Sequence, residues 1–208
     1  MLDQLVFANL LQYSPRGVSD ISKKSRNITD SIKGGRISNF APKINEIILE
    51  HKELLRDFLN EEVTLIPMPR SSPIRESDLW PAHEISKMLA SFNFGTVSTC
   101  LIRSNAIRKS SLFFKADERP SIDEQYNSMQ VKNFVPSANI TLVDDVLTLG
   151  RTSIAAASRL ADKFPNASIK LLVLVRTMGF VPEIDIIKKV EIGTISYNHG
   201  SGKCSRNP

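Results

Sequence analysis

The segment Ile140-Thr-Leu-Val-Asp-Asp-Val-Leu-Thr-Leu-Gly-Arg-Thr-Ser153 is the part of this sequence best equipped for chemistry. Adjacent carboxylates such as Asp144 and Asp145 can accept hydrogen bonds from vicinal sugar hydroxyls. Thr148, Leu149, Gly150, Arg151 and Thr152 follow as a short turn that leads into a helical pattern. Backbone N–H groups at a helix start, together with the helix dipole, favour a phosphate. Gly150 allows the close backbone approach an anion needs. The two halves together suit a phosphorylated sugar. A lone Asp-Asp pair is better explained as a turn cap. Here the apolar run before it and the Thr-x-Gly-x-Thr-Ser after it reverse that preference.

Two other stretches suit a dense negative charge. Val63-Thr-Leu-Ile-Pro-Met-Pro-Arg-Ser71 closes an apolar run with two prolines, an arginine and a serine, and Ser72 follows. The planar fork of Arg70 matches phosphate oxygens bidentately. Taken alone, Pro67 and Pro69 read as a rigid exit from an edge strand. Farther on, Arg103, Arg108, Lys109, Lys115 and Arg119 face only Asp117 and Glu118 in a long loop. Loops of that length are functional or disordered, and composition alone also accommodates a solvated, mobile loop.

Such groups need a scaffold that gathers them. Four apolar runs, Val63–Ile66, Val97–Ile102, Ile140–Val143 and Ile169–Val175, predict strands buried on both faces. Amphipathic patterns predict helices over Lys43–Leu59, over Trp80–Phe92 with Asp78 as N-cap and Pro81 in the first turn, and over Ser153–Phe164. Alternating strand and helix imply an α/β fold with a mainly parallel sheet. Ligands of such sheets bind beyond the carboxyl ends of the strands. Residues 12–41 read as loop with short elements, and 104–138 carry little apolar periodicity.

The chain has 208 residues, 41% hydrophobic and 24% charged, which suits one globular domain rather than a disordered chain. No run approaches the roughly 18 apolar residues of a membrane span, and no signal-peptide layout is present. Two cysteines, Cys100 and Cys204, make neither a disulfide framework nor a zinc cluster, and fit a reducing cytoplasm. The net charge of +5 suits an anionic ligand without demanding nucleic acid. His51, His83 and His199 lack the spacing of a metal site or dyad. Cys100 reads as a packed small hydrophobe, and Cys204 as part of a disordered tail.

Val143–Ser153 resembles the phosphoribosyl-pyrophosphate (PRPP) motif of type I phosphoribosyltransferases, with Leu149 where many members carry a second hydroxyl residue. The Pro-x-Pro end of Val63–Ser71 is similar to that of the ComF-like, amidophosphoribosyltransferase-related branch. Arg75-Glu-Ser-Asp-Leu-Trp80 departs from the Arg-Gly-Phe-Asn stretch usual there. The likeness spans roughly 60–178, and more loosely Ile32-Lys33-Gly34-Gly35. It implies a single phosphoribosyltransferase-like domain over 1–208. That domain would have a twisted, mainly parallel core at about 42–178, a flexible loop at about 103–133, and a variable hood from 1–41 and 177–208.

The resemblance further implies transfer of the 5-phosphoribosyl group of PRPP to a nitrogen nucleophile, with release of pyrophosphate. Asp144 and Asp145 would hold the ribose, and Thr148 to Thr152 its phosphate. Arg70 and Ser71 would take the pyrophosphate, with Lys109, Ser110, Ser111 and Arg119 closing over it. Mg²⁺ would ride on PRPP, touching Asp144 or Asp145 through water, without a protein cage of its own. Tyr13, Phe40, Phe180 and Tyr197 are the aromatic residues available to a hood, although packing is the commoner role. The alternatives are a PRPP-sensing or nucleic-acid-binding relative, for which the basic stretch 16–36 supplies charge but no motif, and an effector of a phage-defence, retron-like system with partner proteins. Relatives often dimerise, so a homodimer is the default expectation.

Overall fold

Strands apolar on both faces belong inside a covered sheet, and the computed structural model places three of the four runs there, at 63–66, 140–143 and 169–175. It describes residues 1–108, 118–179, 181 and 183–207. Strands β1 (Gln4–Tyr13), β2 (Thr64–Pro67), β3 (Thr96–Val97), β6 (Asn139–Leu147), β7 (Ser168–Thr177), β8 (Lys188–Asn198) and β9 (Lys203–Asn207) form one seven-stranded sheet. Its spatial order is β3-β2-β6-β7-β1-β8-β9. The first five run parallel, and β8 and β9 complete the sheet antiparallel. The fold is therefore α/β, with a mixed but mostly parallel sheet flanked by helices.

Helices α1 (Asp20–Lys33), α2 (Ala41–Glu50), α3 (Lys52–Leu55) and α4 (Pro81–Ser91) cover one face. Ile32, Ile44, Ile48, Leu55, Ile85 and Leu89 pack there on Leu65, Val143 and Leu172. The other face carries α5 (Ile122–Asn127), α6 (Arg151–Lys163) and the two-stranded pair β4 (Leu101–Arg103) and β5 (Met129–Val131). Ile122, Met129, Ile154 and Leu160 meet Ile66, Leu142 and Leu171 on that side.

This layout places a crevice. From β2 the chain passes through α4 to β3 on one side, whereas from β6 it passes through α6 to β7 on the other. The turns leaving β2 and β6 thus diverge toward opposite faces between two adjacent strands. That is the switch point at which open α/β sheets take their ligands. Among the described residues no helix is long and apolar enough to cross a membrane.

Several sequence expectations need correction. Of the segments assigned to a hood, 1–41 and 177–208, part belongs to the sheet: β1 lies between β7 and β8, and β8 and β9 extend the edge. Residues 12–41, read as loop, contain the 14-residue helix α1. Its buried positions are Ser22, Ser25, Thr29 and Ile32, so hydroxyls stand where apolar periodicity was sought. Ser25 Oγ and Thr29 Oγ1 donate back to the carbonyls of Ser22 and Ser25, which satisfies them inside. The run Val97–Ile102 splits between β3 and β4, and the helix over Lys43–Leu59 breaks at His51. Trp80, not Asp78, holds the cap position of α4, and no side chain caps it. Of the loop expected at 103–133, residues 122–131 are α5, Ser128 and β5.

Candidate functional site

Strand β2 ends with Pro67 opposite Val143, while β6 continues beside β7 as far as Leu147. Residues 144–147 therefore have a strand neighbour on one side only. Asp144 and Asp145 lie on this stretch, inside the strand rather than at its end. Asp144 Oδ1 accepts from the N–H of Asp145 at 2.9 Å, and Asp145 Oδ1 from that of Val146 at 2.8 Å. Burial, and then the charge of Asp145, raise the Asp144 carboxyl well above its ordinary 3.8, and Lys33 at the end of α1 opposes the shift. A pair of acids held so close, one of them desolvated, favours whatever brings hydrogen-bond donors or positive charge to it.

After β6 the chain makes a short turn, and Arg151 and Thr152, read as part of that turn, already belong to α6. Gly150 takes φ +83°, a left-handed conformation that side chains resist, and α6 begins at the next residue. Gly150 holds the cap position of α6 and has no side chain to offer the N–H groups of its first turn. Asp144, Thr148, Leu149, Gly150, Arg151 and Thr152 line one small depression, and Arg119 reaches it from the loop preceding α5. Asp145 stands beside Asp144 but does not line it.

Across the crevice, Met68 donates to the carbonyl of Val143 at 2.8 Å and ties the β2 turn to β6. The N–H of Ile107 donates to the carbonyl of Ser71 at 2.8 Å, so the basic loop leaves from this turn. Arg70 Nη1 lies 3.1 Å from Asp78 Oδ2, an ion pair without hydrogen-bond alignment. Arg70 and Ser71 thus sit on the neighbouring strand end rather than in the depression. Lys109, Ser110 and Ser111 lie outside the described residues.

Beneath the β2 turn is a group the sequence reading counted only as loop charge. Arg103, 3% exposed, donates from Nε to the carbonyl of Arg70 at 2.8 Å. It also donates to the carbonyl and side-chain oxygens of Gln125, at 3.2 Å each, and to Ser128 Oγ. Burial lowers its pKa to about 10, and among the described residues neutral acceptors alone hold its charge. Its signal was an arginine closing an apolar run.

At the neighbouring strand ends, Glu183 accepts from the N–H groups of Val18 and Ser19 and from the hydroxyls of Ser19 and Ser22. These bonds lower its carboxyl to about 2 and latch the segment before β8 onto the start of α1. Tyr13, the last residue of β1, is half-buried, its hydroxyl pKa raised mainly by burial, with Lys33 Nζ 6.0 Å from its ring centre. Phe40 packs on the core, the Tyr197 ring meets that of His199 at a tilt of 56°, and Phe180 lies outside the described residues. Cys204 is part of β9, its thiol pushed up to about 11 by burial, and not a disordered tail.

For a metal, the described residues hold no group of three or more His, Cys, Asp or Glu. Asp144 and Asp145 nevertheless suit Mg²⁺ carried on substrate phosphates, which needs one or two carboxylates and keeps its waters. No protein-family model matches the chain, and no curated protein matches it in sequence.

Proposed function

We propose that the protein is a phosphoribosyltransferase of the type I kind, which moves the 5-phosphoribosyl group of PRPP to a nitrogen nucleophile and releases pyrophosphate. The observation that carries this reading is the meeting, at one topological switch point, of paired acids, an uncapped glycine-led helix start and an arginine turn. Each suits one part of PRPP. The acids accept from the ribose hydroxyls, the α6 turn takes the 5-phosphate, and Arg70 faces the diphosphate. Arg119 supplies charge at the phosphate end of the site.

Bond breaking at the anomeric carbon puts positive charge on the sugar and negative charge on the departing diphosphate. Cations fixed around the leaving group are then worth more in the transition state than in the ground state. Mg²⁺, when bound with PRPP, would add charge there beside Asp144 or Asp145. Arg70 must exchange Asp78 for the diphosphate, a denser anion.

Calorimetric titration of PRPP with Mg²⁺, with ribose 5-phosphate as the control, tests the reading. Magnesium-dependent binding that is tighter for PRPP is expected. The Asp144→Asn, Asp145→Asn double variant should lose most of it while staying folded. Arg70→Ala should slow turnover more than it weakens ribose 5-phosphate binding. Parent-like PRPP binding in the double variant removes the acids from the site. Binding without turnover for any purine, pyrimidine or amine makes the pocket a sensor.

A further inference from the structure

Strand β9 is short and polar, yet one of its side chains reaches the α6 turn. Ile195 of β8 pairs with Arg206 of β9, and directly opposite residues of an antiparallel pair share a face. Both meet the turn. A Cβ on Gly150 would stand 2.7 Å from Ile195, so the turn rests directly on that side chain. Arg206 donates from Nη1 to the carbonyls of Leu147 and Thr148, at 3.0 and 2.5 Å, and from Nη2 to that of Thr177 at 2.6 Å. No carboxylate pairs with it among the described residues. Burial first, and then the charge of Arg176, lower its pKa to about 10.

In a planar trans peptide the C=O and N–H point in opposite directions. Drawing the oxygens of Leu147 and Thr148 onto the guanidinium therefore turns the N–H groups of Thr148 and Leu149 away from it. A turn left to itself has no reason to choose that orientation, and carbonyl oxygens turned outward would repel a phosphate. We propose that Arg206 is a positioning residue for the anion-binding turn, its fork gripping the carbonyls of Leu147 and Thr148 so that the turn offers N–H groups to a sugar phosphate. The inference rests on the sugar-phosphate reading of that turn. It makes β9, more than 50 residues farther along the chain, part of the binding machinery.

The test uses the full chain with Arg206→Gln and Arg206→Lys. Ribose 5-phosphate is titrated by calorimetry, and amide hydrogen exchange is followed at Thr148–Thr152, with melting curves alongside. Arg206→Gln should weaken ribose 5-phosphate by about tenfold or more. The turn amides should exchange faster while those of Ile140–Val143 keep the parent's protection. Arg206→Lys keeps the charge but not the fork. It should fall between the two, and it carries the test if the glutamine variant unfolds. Parent-like affinity and exchange in these variants overturn the proposal. A parent that binds no ribose 5-phosphate, with faster turn exchange in the variants, upholds the grip on the turn and removes its ligand. Unchanged exchange in that case removes both.

Discussion

Asp144 is kept in place at a cost to the fold. Its carboxyl is raised by burial and by Asp145, so the folded chain binds that proton more tightly than the unfolded one does. Stability therefore falls as pH climbs from the ordinary 3.8 through the raised value, and levels off above it. Asp144→Asn abolishes the penalty and keeps an oxygen that can accept from Asp145 N–H. We expect the variant to melt higher than the parent at neutral pH, with the gap closing as pH falls toward 3.8. Each kcal/mol recovered should raise Tm by about 2–4 °C in a chain of this size. Ribose 5-phosphate affinity should move the opposite way. Melting curves at three pH values and one titration decide it, and a variant no more stable than the parent at pH 7 would show that Asp144 is not strained. A residue that weakens its own fold is a common mark of a binding site.

The elements show where sequence patterns speak and where they are silent. Strands β2, β6 and β7 and helices α4 and α6 were legible because their buried positions are mostly apolar, and the acids of β6 and the glycine of the α6 turn followed from them. Strand β1 was missed although Phe7, Ala8 and Leu10 are fully buried, since Asn9 and Gln12 are buried among them. Gln12 and Arg176 share Glu191, and the Asn9 amide donates to the carbonyl of Lys189, so these polar groups find partners across strands no local pattern connects. Helix α1 hid its packing face in serines, and β9 had no apolar face to find. Contacts between β8 and the α6 turn were equally invisible. Gly150→Ala puts a side chain at positive φ and against Ile195, and should cost about 1–3 kcal/mol. Ile195→Ala in the same chain opens the space but not the dihedral. The pair should then fall short of additive, which a double-mutant cycle by denaturant melting measures. Full additivity would mean that the turn does not rest on β8.

At the scale of the molecule, the two faces of the sheet hold separate apolar clusters, and the crevice opens where the chain changes face. The same strand order ties residues 4–13 to partners at 168–177 and 188–198. A chain truncated after Lys163 leaves both edges of β1 unpaired. We expect that truncation to be cut by protease within β1 and to bind an apolar dye, whereas protection equal to the full chain's would show that α1 and α2 hold the strand unaided. The placement of β1 also bears on how the protein is made. Pairing between such distant segments is slow, because a long loop must close before any contact repays it. On a ribosome adding about 5–20 residues per second, the first strand would wait some 8–30 s for β7 to appear. Through that interval a ten-residue segment, Leu5–Ala8 and Leu10–Leu11 of it apolar, stands open to other nascent chains, which makes it the natural place for a chaperone to hold.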